Sequence, residues 1–158
     1  VVVINYGSLM FDVAKENGLT DRDQLRKLSV SEQQRLQKIA AEKIAGHEEE
    51  VVIIDTHAFI SSPEGYYPGL PEHVLKIIKP DNFVSVSAKP EEIYNRRMKD
   101  NTRSRDNITL ANIKKELDVQ SGMISACAVI TGSPVRLVLN GEGKIDETAD
   151  KIIRAIGL

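Results

Sequence analysis

The chain has 158 residues and a formal net charge of −2 at pH 7, a length that suits one domain with a sizeable core. A charge so close to neutral argues against a general nucleic-acid or membrane-surface binder, and no apolar run approaches the ~20 residues of a membrane span. The single cysteine, Cys127, cannot form an internal disulfide, which favours a reducing compartment such as the cytoplasm.

The first half of the chain alternates strand-like and helix-like stretches. Two β-branched apolar runs predict strands at 1–4 and 51–54. Four amphipathic stretches predict helices, with expected bounds of Ser8 to Gly18, Thr20 to Leu28, Ser29 to Gly46, and Pro71 onward. SSPEGYYPGLP, between the second strand and the fourth helix, is rich in turn residues and predicts a connection.

The second half continues the alternation. Strands are expected at 83–86 and 135–139, on either side of two helices. Pro90 is expected in the first turn of a helix that runs through Met98, and a basic polar loop follows it. Thr109 is expected to begin a long helix that Gly132 ends. The last strand leads through an NGEG turn into a final helix, whose expected bounds are Ile145 and Ile156.

Apolar strands that alternate with amphipathic helices predict an α/β protein with a mostly parallel sheet. Ligands of such sheets bind beyond the carboxyl ends of the strands. Asp55 and His57 follow the second strand, and Asn5-Tyr6-Gly7 follows the first. Both segments are therefore candidates for the rim of a site.

The densest cationic cluster spans a predicted helix end and the loop after it. Its members are Arg96, Arg97, Lys99, Arg103 and Arg105. Cations favour a helix C-terminus and polar loops are solvated, so a surface interpretation is simple. Arginine forks also match phosphate oxygens in pairs, and Thr-Arg-Ser-Arg-Asp has no apolar residue to anchor it, which favours a phosphate-binding loop.

A second cationic group lies in DRDQLRK. Arg22 and Arg26 are four residues apart on one predicted helix face. Asp23 is placed to pair with Arg26 or Lys27, so a surface ion pair is an alternative to a ligand site.

Asp55 and His57 each have a structural and a functional interpretation. Asp55 either caps the turn after its strand or, as a strand-terminal carboxylate, holds the hydration shell of Mg²⁺ in a phosphotransferase. His57 is either a structural histidine or a hydrogen-bond partner of a substrate. Cys127 is expected in the core, and no motif for zinc or serine-hydrolase chemistry is found in the sequence.

Five motifs, taken in order and spacing, resemble the archaeal-type adenylate kinases over essentially the whole chain. They are INYGSLM, TDRDQLRKLS, VVIIDTH, GYYPGLP and TRSRD. The resemblance implies a P-loop nucleoside monophosphate kinase that catalyses ATP + AMP ⇌ 2 ADP with Mg²⁺, and typically a homotrimer. It implies a three-layer parallel sheet flanked by helices in one domain, 1–158, with a helical monophosphate-binding part at 7–46 and a short lid at 99–108.

The same resemblance implies roles for single residues. Asp55 would organise Mg²⁺ through water, and Arg96, Arg103 and Arg105 would bind the phosphates. The residues implied on the AMP side are Tyr6, Gly7, Met10, Arg26 (on the phosphate), His57, Gly69 and Leu70. The turn of Asn140, Gly141 and Gly143 would lie near the adenine of ATP.

One part of the family pattern is not found in these 158 residues, namely a first strand followed by a GxxGxGK[ST]-type phosphate loop. The resemblance places that strand between the strand ending at Asp55 and the strand at Phe83, so its loss would leave two unpaired edges. We therefore expect a preceding segment, or a first strand that includes Val1 to Val3 and joins Ile4 across a gap. If the complete chain lacks the loop, an inactive binding or assembly module is the alternative. A kinase for another monophosphate is the alternative among enzymes.

Overall fold

The computed structural model describes residues 1–100 and 109–158, and of Arg22, Asp23 and Arg26 it describes the backbone alone. The chain divides into two compact units, Val1–Lys79 and Pro80–Leu158. The prediction of a single domain over 1–158 stays a prediction.

The N-terminal unit contains strands and helices close to those predicted, together with one additional hairpin. In chain order its elements are β1 (Val2–Asn5), α1 (Tyr6–Glu16), α2 (Arg22–Lys27), α3 (Val30–Ala45), β2 (Val52–Asp55), β3 (Phe59–Ser62), β4 (Gly65–Pro68) and α4 (Glu72–Ile78). Strands β1 and β2 are parallel, with Val2 opposite Val52 and Asn5 opposite Asp55. Val2 and Val3 thus lie in the same strand as Ile4.

The C-terminal unit has a second parallel pair of strands. Its elements are β5 (Phe83–Ser87), α5 (Pro90–Lys99), α6 (Leu110–Thr131), β6 (Val135–Leu139) and α7 (Ile145–Ala155). Strands β5 and β6 are paired from Phe83–Val135 to Ser87–Leu139. Parallel strands joined by helices confirm the predicted α/β class.

Helix ends follow the predicted capping residues at most positions. The Ser29 hydroxyl accepts from the backbone N–H of Glu32 at 3.3 Å, and Thr109 caps α6 in the same way. Gly132 ends α6 with φ 73°, a conformation that glycine adopts without strain. Helix α1 begins before the expected bound at Ser8: Asn5 is its N-cap, and the Asn5 side chain accepts from the Ser8 N–H.

The segment SSPEGYYPGLP does more than connect β2 to α4. Strands β3 and β4 form an antiparallel hairpin with Ser62 opposite Gly65 and Phe59 opposite Pro68. The rings of Phe59 and Tyr66 pack edge to face at 5.1 Å, which adds to the strand pairing. This hairpin was not predicted from the sequence.

Helix α3 carries much of the core of the N-terminal unit. Leu36, Ala40 and Ile44 of this helix are buried, together with Val13 of α1 and Val74 of α4. This fit is sensitive to volume, because close-packed side chains leave little room to relax. The core therefore fixes α1 and α4 against α3.

The C-terminal unit buries Ile113 and Cys127 of α6 and Val138 of β6. Cys127 is 8% exposed, which confirms the prediction of a core cysteine, and burial raises the pKa of its thiol. Large apolar side chains are nonetheless exposed on α6 and β6, with Val129 and Leu137 about four-fifths exposed. In the described ranges, every helix is too short or too polar to cross a membrane.

Candidate functional site

Asp55 lies at the carboxyl end of β2, where the sequence analysis placed a candidate site. The parallel pairing puts Asn5, the last residue of β1, directly opposite it. Asn5 Nδ2 donates to Asp55 Oδ2 at 2.8 Å, while Asn5 Oδ1 accepts from the Ser8 N–H at 2.9 Å. Two strand ends and a helix N-terminus therefore meet around one exposed carboxylate.

The surroundings of Asp55 fit a magnesium ion held through water. Among the described residues, no three His, Cys, Asp or Glu side chains are grouped closely enough to hold a metal by themselves. Mg²⁺ usually keeps several waters and is bound through one or two carboxylates together with substrate phosphates. A single exposed carboxylate whose second oxygen is already hydrogen-bonded meets that requirement.

Helix α1 places the predicted AMP-side residues in different environments. Tyr6 is 5% exposed, its ring lies in the core, and its hydroxyl is 3.5 Å from the Gln37 carbonyl oxygen. Burial raises the pKa of the Tyr6 phenol. Gly7 is exposed and Met10 is half-buried against the core. The ring of Tyr6 supports the helix, whereas Gly7 and Met10 retain surface that a ligand can contact.

Gly69 is in close backbone contact with the segment that follows Asp55. Its N–H donates to the Ala58 carbonyl at 2.9 Å, and a β-carbon at Gly69 would overlap the carbonyl oxygen of His57. The His57 side chain is exposed, and Leu70 is half-buried against the core. The structure therefore places Gly69, and Leu70 next to it, beside the backbone of His57.

In the C-terminal unit, Arg96 contacts the turn predicted at the ATP adenine. Its Nη2 donates to the Asn140 carbonyl at 2.9 Å and its Nε to Glu142 Oε2 at 3.1 Å. Glu92 holds the same turn, since its Oε1 accepts from the Glu142 N–H at 3.1 Å. Hydrogen bonds from the backbone of Glu142 and of Lys89 hold the pKa of the Glu92 carboxyl below its usual range.

Helix α7 supports this turn from its other side. The Thr148 hydroxyl is 3.3 Å from Asn140 Oδ1 and 2.7 Å from the Lys144 carbonyl oxygen, and Thr148 is 4% exposed. Gly143 has φ 68°, which permits the reversal into α7. Gly141 lies between Lys144 and Glu92. The Asn140 to Gly143 turn is thus fixed by both neighbouring helices.

The other cationic predictions have different outcomes. Arg97 forms a 2.8 Å ion pair with Glu116, joining α5 to α6, so this arginine is engaged within the fold. Arg103 and Arg105, with most of the predicted lid at 99–108, lie outside the described residues. The side chain of Arg26 lies outside them as well.

The partners that hold the candidate residues in place were not predicted from the sequence. Asn5 was noted only as part of a strand end, although its position mirrors that of Asp55. Glu92 occupies the third helical position after Lys89, where a side chain reaches back to the preceding backbone. The strand-end position of Asn5 and the helical position of Glu92 are the sequence features that could have indicated these partners. The contact between α5 and the Asn140 turn is tertiary and leaves no local pattern in the sequence.

Comparison with known proteins gives a family for the chain. A family model described as an AAA domain matches residues 1–114. The adenylate kinase of Thermoplasma acidophilum is 43% identical over 159 aligned positions, covering the whole chain and 86% of that protein. That of Thermoplasma volcanium is 44% identical, over 99% of the chain and 86% of the relative. The adenylate kinase of Methanocaldococcus jannaschii is 40% identical, over 98% of the chain and 81% of the relative.

These alignments include the strand end at Asp55, the Gly69 contact and the Asn140 turn, since they extend over nearly all of the 158 residues. The resemblance to adenylate kinases inferred from the sequence is therefore confirmed, and the chain belongs to the adenylate kinase family.

Proposed function

We propose that this protein transfers the terminal phosphoryl group of ATP to AMP, giving two ADP, with Mg²⁺ as cofactor. The observation that carries the proposal is the similarity of the chain, at 40–44% identity over nearly its full length, to three adenylate kinases. The exposed carboxylate of Asp55 at a parallel strand end supports it, because phosphotransferases of this class place such a group beside the metal.

Phosphoryl transfer depends on positioning and on neutralising charge, and the protein needs no nucleophile of its own. Bound Mg²⁺ would neutralise phosphate charge, and Asp55 would orient its water shell. On the ATP side, the Asn140, Gly141 and Gly143 turn would contact the adenine. Arg96 would fix that turn and present its remaining N–H groups toward the phosphates.

The AMP side is proposed to lie in the N-terminal unit. Its expected contacts are Gly7, Met10, Arg26, His57, Gly69 and Leu70. Tyr6 would act from the core, since its ring is enclosed there. The helices of 7–46 would form this side, and a lid at 99–108 carrying Arg103 and Arg105 would cover the phosphates. Closure would also exclude water, which otherwise hydrolyses ATP.

We also propose a homotrimer in the cytoplasm. The large apolar side chains of Val129, Leu137 and Leu139 are exposed, and they support self-association because association can remove such surface from water. Because Cys127 is the single cysteine of the chain and cannot form an internal disulfide, it supports a reducing compartment. Light scattering of the purified protein gives the mass of the assembly, and a monomer would contradict the trimer.

A coupled assay of ADP formation tests the reaction and its substrate. Purified protein with ATP and Mg²⁺ is compared with AMP, GMP, CMP and UMP as acceptors, and AMP is expected to be preferred. Asp55→Asn is expected to lower turnover at least ~10-fold by removing the charge beside the metal. Asp81→Asn, another exposed carboxylate, is the matched control.

Each other outcome of the assay has a definite meaning. Preference for a different acceptor would make the protein a kinase for that monophosphate. Binding of ATP without transfer to any acceptor would favour a binding or assembly module with the kinase fold. Equal turnover of D55N and D81N would contradict the role given to Asp55.

A further inference from the structure

Asn5 uses both ends of its side-chain amide where β1 passes into α1. Nδ2 donates to Asp55 Oδ2 at 2.8 Å, and Oδ1 accepts from the Ser8 N–H at 2.9 Å. The second bond is the N-cap of α1, so a rotation of the amide that released Asp55 would also uncap the helix. The two bonds together fix one orientation of the Asn5 side chain.

The register of β1 and β2 brings this amide to the carboxylate. Asn5 and Asp55 are directly paired, and each is the last residue of its strand. An exposed aspartate ordinarily has several accessible rotamers. Within the described part of the chain, the only side-chain donor to Asp55 is Asn5. The direction in which Asp55 Oδ1 points therefore depends on this one hydrogen bond.

We propose that Asn5 is a positioning residue for phosphoryl transfer, whose amide holds Oδ2 of Asp55 so that Oδ1 offers a fixed acceptor to the water shell of Mg²⁺. The inference rests on the proposed function, because that function assigns Asp55 to the metal. Asn5 acts through Asp55 and does not act on the reacting atoms. Its cap joins the same carboxylate to the helix that carries Gly7 and Met10, which links the metal side of the site to the AMP side.

Substitutions of Asn5 can separate its two hydrogen bonds. Asn5→Ser keeps an oxygen suited to the N-cap but is too short to reach Asp55, whereas Asn5→Ala loses both bonds. Asn17→Ser is the matched control at the other end of α1. There the Asn17 side chain donates to the Val13 carbonyl at 2.8 Å and accepts from Arg35 at 3.1 Å.

Metal affinity is the first readout, since it does not require turnover. Binding of Mn²⁺ is measured by electron paramagnetic resonance with the protein and a non-hydrolysable ATP analogue. The Mg²⁺ concentration that gives half-maximal rate is measured at saturating ATP and AMP. N5S and N5A are each expected to raise the Kd for Mn²⁺ and the Mg²⁺ concentration at half-maximal rate about 10-fold. That is the lower end of the effect of losing an outer partner of a metal ligand. N17S is expected to leave both unchanged.

Thermal unfolding separates positioning from a purely structural role. N5A and N17S are expected to lower Tm, and N5S to lower it little because the cap remains. A role confined to stability would make the metal readouts follow Tm across the three variants. That pattern, or an unchanged Mn²⁺ affinity and Mg²⁺ dependence in N5S, would overturn the proposal.

The contact itself can be tested without metal or nucleotide. The side-chain amide of Asn5 in ¹⁵N-labelled protein is expected to change its NMR shift in Asp55→Ala, and an unchanged shift would overturn the proposal. If the wild-type protein transfers no phosphoryl group between ATP and AMP, the proposed function fails. The amide signal then still decides whether Asn5 holds Asp55, so the two failures are distinguishable.

Discussion

The backbone of Gly69 lies so close to the backbone of His57 that no side chain fits between them. A β-carbon at Gly69 would overlap the His57 carbonyl oxygen and lie 2.8 Å from the carbonyl carbon. The Gly69 N–H also donates to Ala58 at 2.9 Å. The segment that leaves Asp55 is therefore tied to the end of the β3–β4 hairpin, just before α4.

Replacing Gly69 by alanine is expected to damage both the fold and the AMP side. The methyl group must push the two backbone segments apart, at a cost of about 1–3 kcal/mol for an overpacked contact. The displaced His57 and Leu70 are expected to raise KM for AMP more than KM for ATP. Urea unfolding and the two KM values measure these effects.

Gly122→Ala is the control for that substitution. Gly122 lies inside α6, and a β-carbon there would meet nothing within 4 Å. Alanine is expected to stabilise the protein by about 0.4–1 kcal/mol through a less flexible unfolded chain and better helix propensity. A G69A protein as stable as G122A, with an unchanged KM for AMP, would contradict the role given to the Gly69 contact.

The sequence predicted those parts of the fold that depend on local chemistry. Ser29 and Thr109 cap their helices and Pro90 opens α5, because capping and first-turn preferences are decided within a few residues. Asp55 and the Asn140 turn were correctly predicted to follow strands, because the apolar runs before them are local features of the sequence. Parallel strands carry continuous apolar runs that are easy to recognise.

The missed features depend on neighbours that are distant in sequence. The hairpin has a recognisable signal in Phe59-Ile60 and Tyr66-Tyr67 on either side of a turn, yet its abundant turn residues favoured a loop interpretation. Helix α1 begins before Ser8, and its N-cap, Asn5, is also paired with the distant Asp55 at the end of β1. Such choices are made by tertiary contacts, which a local pattern does not contain.

Arg96→Lys is expected to weaken ATP binding. Lysine keeps the charge but cannot donate to both the Asn140 carbonyl and Glu142 with the fixed fork of the guanidinium. The turn loses a support, so KM for ATP is expected to rise about 10-fold, equivalent to about 1.4 kcal/mol, while KM for AMP stays the same. Steady-state kinetics with each nucleotide varied in turn checks this.

Arg97→Lys is the matched control, because Arg97 pairs with Glu116 and not with the turn. It is expected to leave KM for ATP unchanged. If R96K and R97K had the same KM for ATP, the turn would not depend on Arg96. A fall in kcat in R96K with unchanged KM would instead support a role on the phosphates alone.

The buried phenol of Tyr6 is expected to reduce stability at alkaline pH. Burial raises its pKa above the ordinary value of about 10. Below about pH 10 the phenol is protonated in both the folded and the unfolded chain, so the free energy of unfolding keeps its full value. The free energy of unfolding falls as the pH rises further, because only the unfolded chain then releases the phenol proton.

Tyr6→Phe isolates this effect. The lost hydrogen bond to Gln37 is long, at 3.5 Å, so the cost at neutral pH is expected to be small. Urea unfolding of both proteins from pH 8 to pH 11 cancels titrations common to them. The difference in unfolding free energy should be flat below about pH 9 and then move in favour of Y6F by up to about 1.4 kcal/mol per pH unit. A flat difference throughout would mean that the Tyr6 phenol ionises as readily in the folded chain as in the unfolded one.

Arg103 and Arg105, which lie outside the described residues, are expected to stabilise the transferring phosphoryl group. Replacing either by alanine should lower turnover at least ~10²-fold with the fold intact, since such cations act mainly on transition-state charge. Lys114→Ala, on the exposed face of α6, is the control for loss of a surface charge. Circular dichroism confirms folding, and unchanged turnover in both arginine variants would favour a solvated surface loop.

Arg26→Ala is expected chiefly to raise KM for AMP. Arg26 lies in α2, within the motif whose family resemblance gives it the AMP phosphate, and loss of a guanidinium fork removes a charge-assisted pair of hydrogen bonds. A rise of about 10-fold or more corresponds to at least ~1.4 kcal/mol of binding energy. Lys27→Ala, its immediate neighbour, should leave KM for AMP unchanged, because a lysine at the next position points from a different side of the helix. A rise in KM for ATP alone would place Arg26 on the other nucleotide, and equal effects of R26A and K27A would indicate only the loss of a diffuse positive charge.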